Sequence, residues 1–257
     1  MKIGLLITEL GQLAEVAGWG YEYAETVPQA LGLDDPELRR RALALLERAP
    51  LPVLSLCGFI PDPQGQGLMV VGPDADLGRL RAFVRRVFGL MREAGIGVIG
   101  YGSGGSRWVP EGFSRQRALQ QVRDFLELCG EEGEAHGVKV ALEPYNRDDA
   151  NLLNEVPEAL EVVRQVGHPY AQLMADFFHM YLNGESLDVL EAAGPHLIHA
   201  HLAEPGRGRP QSKPAEHAAF IQALKRAGYA GLLTQTGPLP AYATPAEAAA
   251  ALRRACQ

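Results

Sequence analysis

Cysteine is scarce in this chain. Its 257 residues hold three, Cys57, Cys129 and Cys256; they form no CxxC pair and cannot all pair with one another. A disulfide framework is therefore not expected, and a reducing cytoplasm is the simpler home. Excess basic charge is also missing. The net charge of −7 argues against non-specific nucleic-acid binding, which needs a basic face, but leaves room for a small anionic substrate held by a few arginines. Long hydrophobic runs are absent as well. The N-terminal MKIGLLITEL has a short apolar body closed by Glu9, too little for a signal peptide or a membrane span, and is expected to be a first buried strand. No short-period repeat or low-complexity tract interrupts the chain. Arginine greatly outnumbers lysine, which reads as base-composition bias, thermophilic in style, and not as function.

What the chain does have is 47% hydrophobic residues, as a globular protein has, and a length close to that of a (β/α)8 barrel. Three apolar runs with polar tips lie between Val140 and Glu204. The first ends in Glu143-Pro-Tyr-Asn146-Arg147, the second in Asp176-Phe-Phe-His179, the third in His199-Ala-His201-Leu-Ala-Glu204. Helical patterns separate them, Pro157 to Val166 and Ser186 to Ala193. Strand, helix, strand, helix, strand, each strand ending in a carboxylate or an imidazole, is the rhythm of a parallel sheet with its site at the strand C-termini.

The rest of the chain keeps that rhythm. Strands are expected at Ile3–Ile7, Tyr21–Thr26, Pro52–Phe59, Gly97–Tyr101 and Gly231–Thr236. Helices are expected at Leu10–Val16, Pro36–Arg48, Asp76–Ala94, Arg115–His136, Pro214–Ala227 and Pro245–Ala255. The Pro- and Gly-rich loop after strand three is long enough to be a functional lid. Eight alternating units without a linker make residues 1–257 a single domain.

Glu143, Asp176 and His201 are mixed oxygen and nitrogen donors on three successive strands. Carboxylates suit Mn2+ or Mg2+, and one imidazole turns the preference toward Mn2+, Co2+ or Zn2+. The bland alternative for each is an ordinary polar strand end; three in succession favour a shared site. His179, expected to begin a loop, reads as ligand, substrate donor or plain loop histidine, with substrate contact preferred. His199 alternates with His201 and so points to the same side, as a supporting or core histidine. Glu25 reads equally as cavity-facing or as surface charge. Asn146 and Arg147 are placed to brace Glu143 or to touch substrate. Arg207 can fork onto a hydroxyl, carboxylate or phosphate, or lie in a solvated loop. The Gly102–Ser106 loop carries a weak signal for an anion cradle.

With these residues in view the chain resembles the sugar phosphate isomerase/epimerase branch of the xylose isomerase-like TIM-barrel superfamily. The resemblance rests on Gly20-Tyr-Glu-Tyr-Ala-Glu25, on Val98 to Phe113, on Leu142-Glu143-Pro-Tyr-Asn146-Arg147, on Asp176-Phe-Phe-His179, and on His199-Ala-His201 with Arg207 beyond. It implies that Glu143, Asp176 and His201 bind a divalent metal, that Glu143 is also a base, and that His179 and Arg207 contact a small sugar or polyol. The implied reaction is proton transfer next to a carbonyl. One position departs from the family's pattern. Its fourth ligand and second base is a Glu ending strand eight, and here Thr236 or, with a one-residue shift, Gln235 stands there. Neither ionises, so weaker metal binding is implied, with Gln235 as a neutral ligand or Thr236 as a substrate contact. Three functions follow: a metal-dependent isomerase, epimerase or related dehydratase; a sugar-binding barrel that has lost turnover; and a repair endonuclease of a sister branch. The last needs histidines from early strands, and none precedes His136. Barrel enzymes commonly associate as homo-oligomers.

Overall fold

Every expected strand forms, and the eight close on one another in sequence order as a parallel barrel. They are β1 (Lys2–Leu6), β2 (Tyr23–Thr26), β3 (Val53–Leu56), β4 (Val98–Tyr101), β5 (Lys139–Leu142), β6 (Ala171–Asp176), β7 (Leu197–Leu202) and β8 (Leu232–Gln235). The structure is a computed structural model that describes residues 1–61, 67–204, 214–237 and 244–257. Around the barrel run α1 (Leu13–Gly18), α2 (Pro36–Leu46), α3 (Leu77–Ala94), α4 (Arg115–His136), α5 (Val156–Val166), α6 (Phe177–Asn183), α7 (Val189–Ala193), α8 (Pro214–Arg226) and α9 (Pro245–Cys256). The fold class is the expected (β/α)8 TIM barrel. Among the described residues no helix is long and apolar enough to cross a membrane.

Local chemistry sets the helix ends. The Asp35 and Asp76 carboxylates accept from backbone N–H groups in the first turns of α2 and α3, and Ser114 does the same for α4. Gly95, Gly137 and Gly167 close α3, α4 and α5 in the left-handed conformation. A reciprocal box between Thr244 and Glu247 starts α9. The apolar faces so aligned bury Leu80, Val84, Val87 and Phe88 of α3 and Val122, Phe125 and Leu126 of α4 against the outside of the barrel. Phe59 joins them, stacked on Phe88 at 5.5 Å.

Inside the barrel, side chains alternate in and out along each strand. Tyr23 fills the lower end: a Cβ on Gly4 would run into its ring, so β1 needs glycine there. Above it the inward positions become polar. Glu25 of β2, Ser55 of β3, His199 of β7 and Thr234 of β8 meet in one layer. Asp176 and His201 pair in register between β6 and β7, and with Glu143, the residue after β5, they form the layer at the strand C-termini.

Not every element was expected. His179 does not begin a loop; it sits in the first turn of α6, which starts directly at the end of β6. The reason is Asp176, whose carboxylate caps the new helix by accepting from the Phe178 backbone N–H at 2.8 Å. A short 3-10 helix at Pro28–Leu31 was likewise not anticipated.

Candidate active site

Three strand ends bring Glu143, Asp176 and His201 together. One donor atom from each lies within 4.8 Å of the others, and all three residues are buried. His201 Nδ1 is 3.7 Å from Glu143 Oε1 and 3.9 Å from Asp176 Oδ2. These separations are too long for hydrogen bonds. They enclose a gap lined by two carboxylate oxygens and one nitrogen, the donor set and spacing that a divalent cation bridges.

His179 faces the same gap from α6. Its Nδ1 accepts from the Asn146 backbone N–H at 3.2 Å, and the Asn146 Nδ2 lies 2.8 Å away. A backbone N–H can only donate, so the neutral ring carries its proton on Nε2. That Nε2 lies 3.8 Å from both Glu143 Oε1 and Asp176 Oδ2. Of the two roles expected for Asn146, bracing Glu143 or touching substrate, the structure shows neither contact directly; its amide group and backbone N–H brace His179. Arg147 turns outward to Glu155 at 2.6 Å. Arg207 lies outside the described residues.

Beneath the gap His201 turns its other nitrogen to Glu25. Nε2 is 2.8 Å from Glu25 Oε1 and 3.1 Å from His199 Nε2. His199 Nε2 is 2.6 Å from Glu25 Oε2, which also accepts from Ser55 at 2.5 Å and Thr234 at 3.0 Å. So Glu25 faces the barrel interior, fully buried, and the two-way expectation for it is settled. Burial alone would raise its carboxyl pKa, but the His201 and His199 charges and hydrogen bonds hold it well below the ordinary range. Burial alone would lower His201; the Glu25 charge and Glu143 outweigh it and hold the imidazole well above its ordinary value. For Glu143 burial is again opposed, by His201, His179 and Arg107, and its pKa is lowered.

These shifts set a pH window. The Glu25 contribution to stability is present above the unfolded carboxylate pKa of about 4.3 and is lost as pH falls from there through the folded value. The His201 contribution is complete below the unfolded imidazole pKa of about 6.5 and is lost as pH rises through its folded value. Metal-free protein is thus expected to have its highest Tm between about pH 4.3 and 6.5, read by thermal melts across a pH series. A Tm that keeps rising above that window contradicts the pairing.

Arg107 had no assigned role in the sequence, and among the described residues it is the largest fully buried side chain. Its guanidinium stacks on the rings of Tyr145, at 5.1 Å, and Tyr101, at 5.5 Å, and donates to the Glu143 carbonyl oxygen. Tyr145 in turn stacks on His179 at 4.1 Å. The Gly102–Ser106 loop, which carried only a weak signal for an anion cradle, makes a 3-10 turn at Gly104–Arg107 that delivers this arginine. Its glycines permit close packing: a Cβ on Gly102 would collide with the Tyr145 hydroxyl and the Glu143 carboxylate. Gly102→Ala is therefore expected to displace Glu143 and lower kcat by about 10²-fold, as misplacements of an ångström do; steady-state kinetics check this, and an unchanged kcat would refute the packing argument.

At strand eight the alternation decides between two candidates. Thr234 points inward, since its hydroxyl donates to Glu25. Gln235 therefore points outward, where its amide oxygen accepts from Tyr21 at 2.8 Å; this corrects the expectation of Gln235 as a neutral ligand. Thr236 returns to the inward side, buried, with no hydrogen-bond partner for its hydroxyl among the described residues. Glu204 Oε1 lies 3.8 Å from His217 Nδ1 of α8.

The chain is 30% identical over 193 residues to the "probable ketose 3-epimerase" of Synechocystis sp., an alignment that spans 70% of this chain and 63% of that protein. The chain thus spans less than two thirds of that relative's length. Among solved structures, a 3-keto-D-glucoside 4-epimerase from E. coli superposes with TM-score 0.77 at 20% identity, covering 99% of this chain and 98% of that one. A structure of the IolI protein with a bound zinc atom superposes with TM-score 0.72 at 17% identity, covering 99% of this chain and 96% of that one. At such identities the superpositions speak for the fold. Residues 13–255 match the xylose isomerase-like TIM barrel, and the chain belongs to that family.

Proposed function

We propose that this protein is a divalent-metal-dependent isomerase or epimerase that moves a proton next to the carbonyl of a sugar or polyol. The observation that carries this reading is the convergence of Glu143, Asp176 and His201 on one gap, with the Nε2–H of His179 aimed at the same two carboxylates. The donor set fits Mn2+ or Mg2+, and also Co2+ or Zn2+. Glu143, Asp176 and His201 would hold the ion, His201 through Nδ1, because Nε2 is turned to Glu25. When bound, such an ion polarises the substrate oxygens and makes the neighbouring C–H more acidic.

The chain supplies the rest. Glu143 is the base that takes the carbon-bound proton. His179, its tautomer fixed by Asn146, donates from Nε2 to a substrate oxygen. Arg107 holds the Glu143 backbone and, through Tyr145, the plane of the His179 ring. Thr236 presents a hydroxyl to the substrate, and Arg207 is assigned to substrate contact by its place after His201. The sugar epimerases among the relatives support the substrate class, and the zinc-bearing neighbour supports a metal.

The test is a conversion screen. Chelator-stripped protein is incubated with ketopentoses, ketohexoses and inositol derivatives, with and without Mn2+, and products are separated by chromatography. Metal-dependent conversion that follows the purified protein is expected. A second reading, a sugar-binding barrel without turnover, is favoured by the uncharged Thr236. Calorimetric sugar binding with no product after long incubation would replace the first reading by this one.

A further inference from the structure

The loop that follows β5, residues 146–154, carries three asparagines. Each one holds a different part of the stack that runs from Arg107 over Tyr145 to His179. Asn146 meets His179 Nδ1 through its backbone N–H and its side-chain amide. Asn151 clasps Val109, in the segment that follows Arg107. Its Oδ1 accepts from the Val109 N–H at 2.8 Å, and its Nδ2 donates to the Val109 carbonyl at 2.9 Å. Asn154 Nδ2 donates to the Tyr145 carbonyl at 2.9 Å and to the Ala150 carbonyl at 2.7 Å. The Tyr145 N–H is held too, donating to the Leu153 carbonyl at 3.1 Å. Two consecutive residues thus bind both backbone groups of Tyr145. Leu153 reaches its place with a φ of 59°, in the left-handed region where a leucine is strained. Such strain persists where surrounding contacts over-determine it, and it gathers at functional sites. The loop is also tied to the end of α6, the helix that carries His179. Asn183 Nδ2 donates to the Asn154 carbonyl at 2.7 Å, and its Oδ1 accepts from the Arg147 N–H at 3.2 Å.

We propose that Asn151 and Asn154 are positioning residues of the site: together with Asn146 they set the Arg107–Tyr145–His179 stack, and through it the direction of the His179 Nε2–H bond. This rests on the proton-transfer reading above and adds to it. Each asparagine acts through the backbone it holds. Asn154 and Leu153 fix the Tyr145 backbone, and the Tyr145 ring lies 4.1 Å from the imidazole, tilted by 25°. Asn151 fixes the segment after Arg107, whose guanidinium lies on the same tyrosine ring. A shift of Tyr145 therefore tilts the imidazole stacked on it. The tilt turns the Nε2 proton away from a substrate oxygen and leaves Glu143, Asp176 and His201 on their own strand ends. An error of about an ångström in such a group costs up to about 10²-fold in rate. The cost falls on turnover, not on the hold on the ion.

The experiment compares Asn154→Ala, Asn151→Ala and Tyr145→Leu with wild-type protein by two readouts. The first needs no substrate. The His179 ring protons lie over Tyr145 and feel its ring current in proton NMR of the metal-free protein. In Asn154→Ala, and to a smaller extent in Asn151→Ala, they are expected to move toward their positions in Tyr145→Leu. Wild-type positions in both asparagine variants overturn the proposal. The second readout is kinetic. Asn154→Ala is expected to lower kcat by about 10²-fold and Asn151→Ala by about tenfold, with KM and Mn2+ affinity within about threefold of wild type. In the Tyr145→Leu background Asn154→Ala should cost less than about twofold more, because its effect passes through the missing ring. An equal loss in both backgrounds, or a fall in Mn2+ affinity that matches the fall in kcat, overturns the proposal. Asn151 is only half-buried, so its variant answers if Asn154→Ala does not fold. A wild-type protein that converts no sugar overturns the proton-transfer reading and with it the catalytic purpose of the clamp, while the ring-current comparison still decides its geometry.

Discussion

Glu143→Gln is expected to lower the rate of proton transfer by about 10²- to 10⁴-fold, the range that a positioned general base contributes. The substitution keeps the size of the side chain and its place above Arg107, which holds the backbone carbonyl and not the carboxylate. What it removes is a carboxylate whose Oε1 lies 3.7 Å from His201 Nδ1 and 3.8 Å from His179 Nε2; Asp176, whose Oδ1 caps α6, keeps its place at the gap. The loss should fall on kcat more than on KM, because the substitution leaves in place His179, the proposed donor to the substrate. Steady-state rates on whichever sugar is converted, beside a far-ultraviolet spectrum to show that the barrel is intact, decide it. A loss of less than fivefold would move the base elsewhere.

Glu25→Ala is expected to destabilise the protein by about 3–5 kcal/mol, the cost of removing one partner from a buried charge pair. Glu25 is fully buried, and three partners beside His201 hold its oxygens. Its removal leaves the Ser55 and Thr234 hydroxyls without their acceptor and His201 without the charge that keeps it protonated. The variant should also hold metal more weakly, since the His201 ring loses the carboxylate that orients it. Chemical denaturation of metal-free protein measures the first effect. A change below about 1 kcal/mol would mean that water or a shifted neighbour replaces the carboxylate.

The barrel was legible because its signals are local and repeated. Continuous apolar runs of strand length alternate with helical patterns bounded by Asp, Ser, Pro and Gly, and α4 begins and ends at the residues expected, Arg115 and His136. Glu143, Asp176 and His201 were legible as strand ends, because strand ends in such a barrel converge. The structure then supplied what spacing could not. Arg107 sits in a Gly-rich loop that looks solvated, and its burial depends on two tyrosines, one at the end of β4 and one after β5. The capped helix at α6 hides in an apolar run that reads as a strand running out; only the Asp176 carboxylate turning back on Phe178 reveals it. The choice between Gln235 and Thr236 was open because the two are neighbours, and the phase of the strand is set by a contact with Glu25 that is distant in sequence.

The central claim is that Glu143, Asp176 and His201 hold a divalent ion even though strand eight contributes only a hydroxyl. The measurement that tests it most directly is calorimetric titration of chelator-stripped protein with Mn2+, in two buffers of different ionisation enthalpy, beside Glu143→Ala. His201 is held protonated in the metal-free protein by Glu25 and Glu143, and a ligating imidazole must be neutral. The account therefore predicts one ion per chain, release of about one proton, binding that tightens as pH rises, and loss of the signal in the variant. Absence of binding in the wild-type protein, or equal binding in Glu143→Ala, would contradict it.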